Sequence, residues 1–535
     1  MKGTVWKACL LGAGLVMVSA CSSPTPEVST TTSSASQLFT LEPTPDRNAL
    51  QRTAKGYLAT LLAEPANEQI TLVNANPALI SKDTQDLAIT LPDGKTAQFH
   101  LRDFNTITSG IDGWVGYRPS AWKQKHPSSS SEIDNDPLYY LSIAREGDKL
   151  VGRLLIDGQN YRLDYVGPGQ HALIKVDESK LPPEGEPLVS PGALARDDTV
   201  GKVPQSTHST IRVLFVTTNQ VRASRPNPRL ELAQALNDAN QYMINSRVDI
   251  TYELAGYYDA AYDETGRSYN QQLEDMAPAA PLGEGILPVR DSLKADLVSM
   301  YSRATQYCGL AYVTSSKTSA HSVISCTESL AHELGHNLGA NHNWDDGDPE
   351  GNPPYMYGYR LELDGYGFFR TQMSYDCATG CPRIAYHSNP RLLYRNYPMG
   401  TLAHHDVARR FNERREVVEN FYPREVQYTL YEHANFQGRS CVVTHVRTSS
   451  SWPGVQCGDG WDKLVSSARI RGFVPGIRLN FFTQNGGALT FTSTTYSGDL
   501  DIPFLDDDIS PPAGLTIDRR GENLNDNLYH IASFF

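Results

Sequence analysis

No apolar run in the 535-residue sequence is long enough to cross a bilayer as a helix; the stretch from Ala8 to Val18 falls well short of a span. Basic residues are outnumbered, 47 Lys plus Arg against 60 Asp plus Glu. The resulting net charge of -13 excludes a dedicated nucleic-acid surface, so nucleic acid is not an expected partner. Cysteine is scarce, with eight in all and none between Cys21 and Cys308. The long region between those two can neither be stapled by disulfides nor offer a thiolate to a metal. What is present looks globular: 40% of residues are apolar and 20% charged. At this length one core does not suffice, and three or four domains of ordinary size are expected.

The first residues carry export information. Lys2 and Lys7 precede the short apolar stretch, which closes on Val18-Ser19-Ala20-Cys21. This ending resembles a bacterial lipoprotein signal. The resemblance implies removal of residues 1–20, acylation of Cys21, membrane attachment through that lipid, and an outer-membrane destination from Ser22. Ordinary secretion with cleavage near Ala20 is the other reading. Ser, Thr and Pro dominate the following stretch, so residues 21–45 are expected to form a flexible tether. Six further cysteines, Cys308, Cys326, Cys377, Cys381, Cys441 and Cys457, suit an oxidising compartment. Proximity suggests pairing them in that order, although six cysteines admit fifteen pairings. Two thiolates at Cys377 and Cys381 are too few for a structural metal site.

Residues 46–200 read as a β-rich domain. Alternating patterns over Ala88 to Leu101, Tyr139 to Ala144, Leu150 to Leu155 and Tyr161 to Tyr165 predict antiparallel strands, with turns at Asp93-Gly94 and Asp157-Gly158. The Pro- and Gly-rich text from Leu181, and the polar stretch Arg196 to Thr210, predict an exposed, cleavable linker. A propeptide is the preferred reading of this domain, and a permanent accessory domain is the alternative. Lacking cysteine, such a propeptide would inhibit through a carboxylate or by steric cover.

Residues 211–423 open with an apolar strand at Ile211 to Thr217. A helix over Pro228 to Ser246, a strand at Val248 to Leu254, a helix at Asp291 to Gln306 and a strand at Gly309 to Val313 are then predicted. This alternation makes an α/β layer. The motif His332-Glu333-Leu334-Gly335-His336-Asn337-Leu338-Gly339-Ala340-Asn341-His342 follows. A spacing of four puts His332 and His336 on one helical face, able to share one ion. Gly339 lets the chain leave the helix so that His342 returns to it. Glu333 is offset to act as general base on a water polarised by Zn2+, and three ligands leave room for substrate.

This constellation resembles the metzincin zinc metalloproteases, and implies their catalytic fold and endopeptidase activity on protein or peptide substrates. Phe369-Arg370-Thr371-Gln372-Met373-Ser374-Tyr375 resembles the family's methionine turn. By resemblance Met373 forms an apolar floor beneath the metal. Tyr375 either reaches the metal and the oxyanion with its hydroxyl or serves as a wall. Within the group the chain is most similar to bacterial peptidyl-Asp metalloendopeptidases, with a more distant likeness to reprolysins. Tyr307-Cys308-Gly309-Leu310-Ala311-Tyr312, Cys381-Pro382-Arg383-Ile384, Asn389-Pro390 and Pro398-Met399-Gly400 carry the likeness. It implies cleavage on the amino side of Asp. Arg370 and Arg383 are the candidate partners for that carboxylate, with Arg360 also near in sequence. Asn343 departs from the Asp common in reprolysins. It can replace that residue's hydrogen bonds but not its charge.

The acidic run Asp345 to Asn352 admits Ca2+ as a second ion, and a solvated turn is the alternative. His404 and His405, before a helix at Asp406 to Glu419, read as ordinary surface or packing residues. Residues 425–535 are β-rich. Tyr428 to Gly438 resembles the opening of a βγ-crystallin Greek key, and a weaker repeat starts near Arg478. The resemblance implies an all-β Greek-key domain, with Asp462, Ser466 and Ser467, and Asp526 and Asn527, at the family's calcium positions. Lys463 and His530-Ile531 depart from that pattern. Two other functions remain open on sequence: an inactive exported adhesion protein that uses this module, and a metal hydrolase acting on cell-wall peptides.

Overall fold

The structure is a computed structural model. It describes residues 35–535 except 190–198, 205, 424, 447–456, 458–460, 462–463, 474–476, 484, 495, 497, 507–509, 522–523, 526–527 and 535. The signal, Cys21 with its lipidation, and the calcium positions Asp462, Lys463, Asp526 and Asn527 lie outside the described residues.

The N-terminal region forms one ten-stranded sheet. Its strands are β1 (Ser36–Gln37), β2 (Phe39–Leu41), β3 (Asn67–Ala75), β4 (Asp86–Thr90), β5 (Thr96–Thr108), β6 (Ile111–Pro119), β7 (Asn135–Glu146), β8 (Lys149–Ile156), β9 (Gln159–Gly167) and β10 (Gln170–Val176). The spatial order is β1-β4-β5-β6-β7-β8-β9-β10-β3-β2. Because β1 and β2 are consecutive in the chain, the two sheet edges meet at Leu38. Its N–H donates to the Ala88 carbonyl at 3.0 Å and its carbonyl accepts from the Asn76 N–H at 2.8 Å. The sheet is thereby nearly closed into a barrel, which removes most exposed edge. This corrects the end of the tether expected over 21–45, within residues 36–41; residues 21–34 lie outside the described residues. Leu38 and Phe39 are 0% and 3% exposed, and burying them pins residues 36–41 to the sheet.

The next region is a six-stranded sheet built from β11 (Leu188–Val189), β12 (Ser209–Thr217), β13 (Ile250–Asp259), β14 (Leu297–Tyr301), β15 (Gly309–Val313) and β16 (His321–Ile324), in the order β11-β15-β16-β14-β12-β13. Strands β12, β13, β14 and β16 run parallel, while β15 is antiparallel to β16. The helix expected over Asp291 to Gln306 is corrected. A helix spans Pro281–Leu293, stops where Lys294 turns left-handed, and β14 follows with every residue buried. A short apolar run buried on both faces has no periodicity to distinguish strand from helix.

The helix Pro228–Asn245 sets Leu232, Leu236, Ala239 and Met243 into the sheet's core. Its polar face is also covered. Tyr140 Oη donates to Asp238 at 2.7 Å, Asn105 Nδ2 donates to Asn237 Oδ1 at 2.9 Å, and Arg153 Nη1 donates to the Tyr242 hydroxyl at 2.5 Å. Val115, Tyr140 and Leu155 of the N-terminal sheet join the same apolar cluster. The two regions therefore share a core. The expected linker is corrected in its first part, where Glu184 and Gly185 are buried and β11 pairs in parallel with β15.

Residues 425–535 form two four-stranded sheets around one core that includes Tyr428, Ile470, Phe473, Phe481 and Phe491. The strand Gly498–Ile502, from the second half, pairs with Ser467–Phe473 in the sheet of the first half. Cys308–Cys326, Cys377–Cys381 and Cys441–Cys457 are joined as disulfides.

Candidate active site

The helix Leu330–Asn337 lies wholly buried across the sheet and carries His332, Glu333 and His336. It ends at Gly339, whose φ of +91° is a left-handed conformation that a side chain would strain. The Arg410 guanidinium stands 2.6 Å from where a Cβ would be. The chain then turns back through Asn341–Asn343 and brings His342 over the helix. The three Nε2 atoms lie 3.0, 3.0 and 3.1 Å from one another. Nitrogens bound at about 2.0–2.1 Å to one tetrahedral zinc would sit at nearly that spacing.

The other ring nitrogens fix the tautomers. His332 Nδ1 donates to the Gln372 carbonyl at 2.8 Å and His336 Nδ1 to the Ala340 carbonyl at 2.9 Å. Both Nε2 lone pairs are then free for a metal. Burial, and next the neighbouring imidazoles, hold both rings well below the usual histidine range, so both are neutral, as ligands must be. The triad is a cluster able to coordinate zinc.

Glu333 is 0% exposed, and neither carboxylate oxygen has a hydrogen-bond partner among the described residues. Burial pushes its carboxyl well above the usual range, Glu184 adds to the rise, and Arg383 opposes it. Space for the carboxylate depends on Gly309 in β15: a Cβ there would stand 2.2 Å from Glu333 Oε1.

Met373 is fully buried beneath the helix, with Sδ 2.5 Å from where a Cβ on Gly335 would be. Tyr375 sets its ring 4.0 Å from that of His342, centroid to centroid. Its hydroxyl donates to Glu186 Oε1 at 2.6 Å, and Glu186 Oε2 lies 3.6 Å from His342 Nδ1. Asn343 Oδ1 accepts the Tyr375 N–H at 3.3 Å, so the amide does tie the histidine motif to the methionine turn.

The three arginines part company. Arg370 is buried and engaged by Glu178 at 2.8 Å and by the Ser374 and Cys381 carbonyls. Arg360 holds Asp345. Arg383 is buried with Nη1 2.9 Å from Glu184 Oε1. Glu184, Glu186 and Ser329 were not singled out in the sequence. The one available hint was that a cysteine-free N-terminal region must supply a carboxylate if it supplies any ligand. The acidic loop after His342 is occupied by its neighbours: Asp345 pairs with Arg360 and Glu350 with His404. His404 stacks on Trp344 and His405 bonds the Trp344 carbonyl, so both are packing residues.

Residues 230–343 match the family described as Metallo-peptidase family M12B Reprolysin-like. A peptidyl-Asp metalloendopeptidase of Stenotrophomonas maltophilia (strain R551-3) is 31% identical over 376 residues, 67% of this chain and 89% of the relative. The chain belongs to this family. The peptidyl-Asp metalloendopeptidase of Xanthomonas campestris pv. campestris is likewise 31% identical over 378 residues, covering 68% of this chain and 88% of its own. Among solved structures, metalloproteinase-II from Bacteroides fragilis aligns over 49% of this chain and 83% of its own, at 11% identity and a TM-score of 0.32. Family membership together with the histidine triad makes this chain a zinc metalloendopeptidase.

Proposed function

We propose that the chain is an exported endopeptidase that hydrolyses the bond on the amino side of Asp, and that it is made as a latent precursor. The convergence of three Nε2 atoms within 3.1 Å, beside a buried and unpartnered carboxylate, carries the reading. Zinc held by His332, His336 and His342 would supply Lewis acidity to a water and to the scissile carbonyl. Glu333 takes the proton from the attacking water and returns it to the leaving amine. The Tyr375 hydroxyl, freed from Glu186, would donate to the developing oxyanion. Met373 keeps the underside of the site apolar and dry.

The preference for Asp is supported by the names of the relatives and by Arg383 beside Glu333. Latency is supported by the segment that follows the N-terminal sheet, which lies over the triad. The shared core means that one cut in the 190–210 region would leave the N-terminal domain attached until it is itself degraded. The strand exchange between the two C-terminal sheets supports a βγ-crystallin-like module at 425–535.

A peptide-library digest with processed enzyme, run with and without a chelator, tests the whole. We expect metal-dependent cuts with Asp following the cut bond. Loss of metal dependence would remove the enzymatic reading, and cuts indifferent to the following residue would remove the Asp preference. E333Q should bind zinc normally and turn over no peptide; turnover by the purified variant would reject Glu333 as base.

A further inference from the structure

Residues 183–189 behave as an added strand. The Cys308 N–H donates to the Pro183 carbonyl at 2.8 Å, the Gly185 N–H donates to the Gly309 carbonyl at 2.9 Å, and Leu188–Val189 pairs with Tyr312 and Val313. The segment thus augments β15, the edge strand that borders the active-site helix. The fit is close, since a Cβ on Gly185 would stand 2.9 Å from Leu310 Cδ1 and 3.1 Å from the Gly309 carbonyl oxygen.

This strand points one carboxylate inward. Glu184 is 8% exposed, and its Oε1 accepts from Arg383 Nη1 at 2.9 Å and from Ser329 Oγ at 2.8 Å. Its carboxylate groups with His332 and Glu333, with ligand atoms all within 4.8 Å of one another. Arg383 is itself buried and meets no other carboxylate among the described ion pairs. A buried guanidinium facing the cleft favours an anion in direct contact, and withdrawal of Glu184 would remove its direct ion-pair partner among the described residues. Arg370, by contrast, keeps its own partners on both sides.

We infer that Pro183–Val189 is a built-in surrogate of an acidic peptide substrate. Glu184 fills the Arg383–Ser329 subsite that receives the substrate's acidic side chain, so one ion pair sets both specificity and latency. This rests on the Asp preference proposed above and assigns it to named residues. The Pro183 carbonyl, at the bond a cut before Glu184 would break, accepts from the Cys308 N–H beside β15. Glu186, bonded to Tyr375, adds a second cover on the same strand.

The test is binding to the full chain in an E333Q background, where turnover is absent. The probes are a fluorescein-labelled peptide with a central Asp flanked by alanines and its Asn twin, read by fluorescence anisotropy. Glu184→Ala should raise affinity for the Asp peptide at least tenfold over the E333Q parent, and favour it at least tenfold over the Asn peptide. Arg383→Gln added to that variant should abolish the preference. Should that variant melt early, Ser329→Ala, which removes one hydrogen bond, should lower the preference severalfold. Unchanged affinity on Glu184→Ala, or equal binding of the two peptides, would overturn the inference. A digest that shows cuts before Asp alongside equal binding would sink this subsite alone. A digest without Asp preference would sink the reading beneath it.

Discussion

Gly309→Ala is the sharpest probe of the carboxylate proposed as general base, because it touches Glu333 without touching a proposed metal ligand. The new methyl group would stand 2.2 Å from Oε1 and 2.6 Å from Cδ and Cγ of Glu333, where ordinary van der Waals contact begins at 3.4 Å. Strand β15 has little freedom to retreat: it is paired to β16, and the adjacent Cys308 is bridged to Cys326. The carboxylate must therefore yield by about 1 Å, a misplacement that costs on the order of 10²-fold in rate. Overpacking adds about 1–3 kcal/mol of destabilisation. The assay is kcat/KM of the processed variant on a quenched fluorescent peptide containing one Asp, alongside zinc content and the thermal midpoint. Zinc stoichiometry should hold, because the three imidazoles are untouched. A kcat/KM within threefold of wild type would refute the steric argument.

Tyr375→Phe in processed enzyme should lower kcat by about 10²-fold with KM within about twofold, as expected on removing one oxyanion donor; steady-state kinetics decides it. The buried His321 and His387 are both pushed down to about 3 by burial, below the ordinary value of 6.5. Their contribution to stability is complete above pH 6.5 and is lost as pH falls from 6.5 towards 3, at about 1.4 kcal/mol per pH unit for each. His387→Leu should therefore flatten the fall in thermal midpoint between pH 7 and pH 5. An unchanged slope would count against the buried neutral ring.

Legibility followed the range of the interactions. The residues from His332 to His342 converge through one helical turn and one left-handed glycine, so the spacing alone carries the triad. Helix Pro228–Asn245 was readable from its apolar stripe, and Pro228 at its start fits. Its other face was not. Gln234, Asn237, Asp238 and Gln241 look solvated in sequence, yet they are buried beneath strands about a hundred positions earlier in the chain. Strand β14 was misread for a different reason: it is buried on both sides, and burial on both sides erases the period of two.

The segment around Glu184 shows where composition fails as a guide. Pro, Gly and Glu in close succession describe a chain that cannot build its own secondary structure, and from that an exposed linker follows. The step that breaks is the last one. A segment without local pairing still carries backbone donors and acceptors, and β15 offers an unpaired edge to meet them. Once that pairing forms, the acidic side chains, which composition reads as solubilising, are carried to Arg383, Ser329 and Tyr375. Those partners lie between 145 and 199 positions away in sequence. The same property that makes the stretch look like a linker, a backbone left free by its prolines and glycines, is what lets it lie on the cleft as a strand.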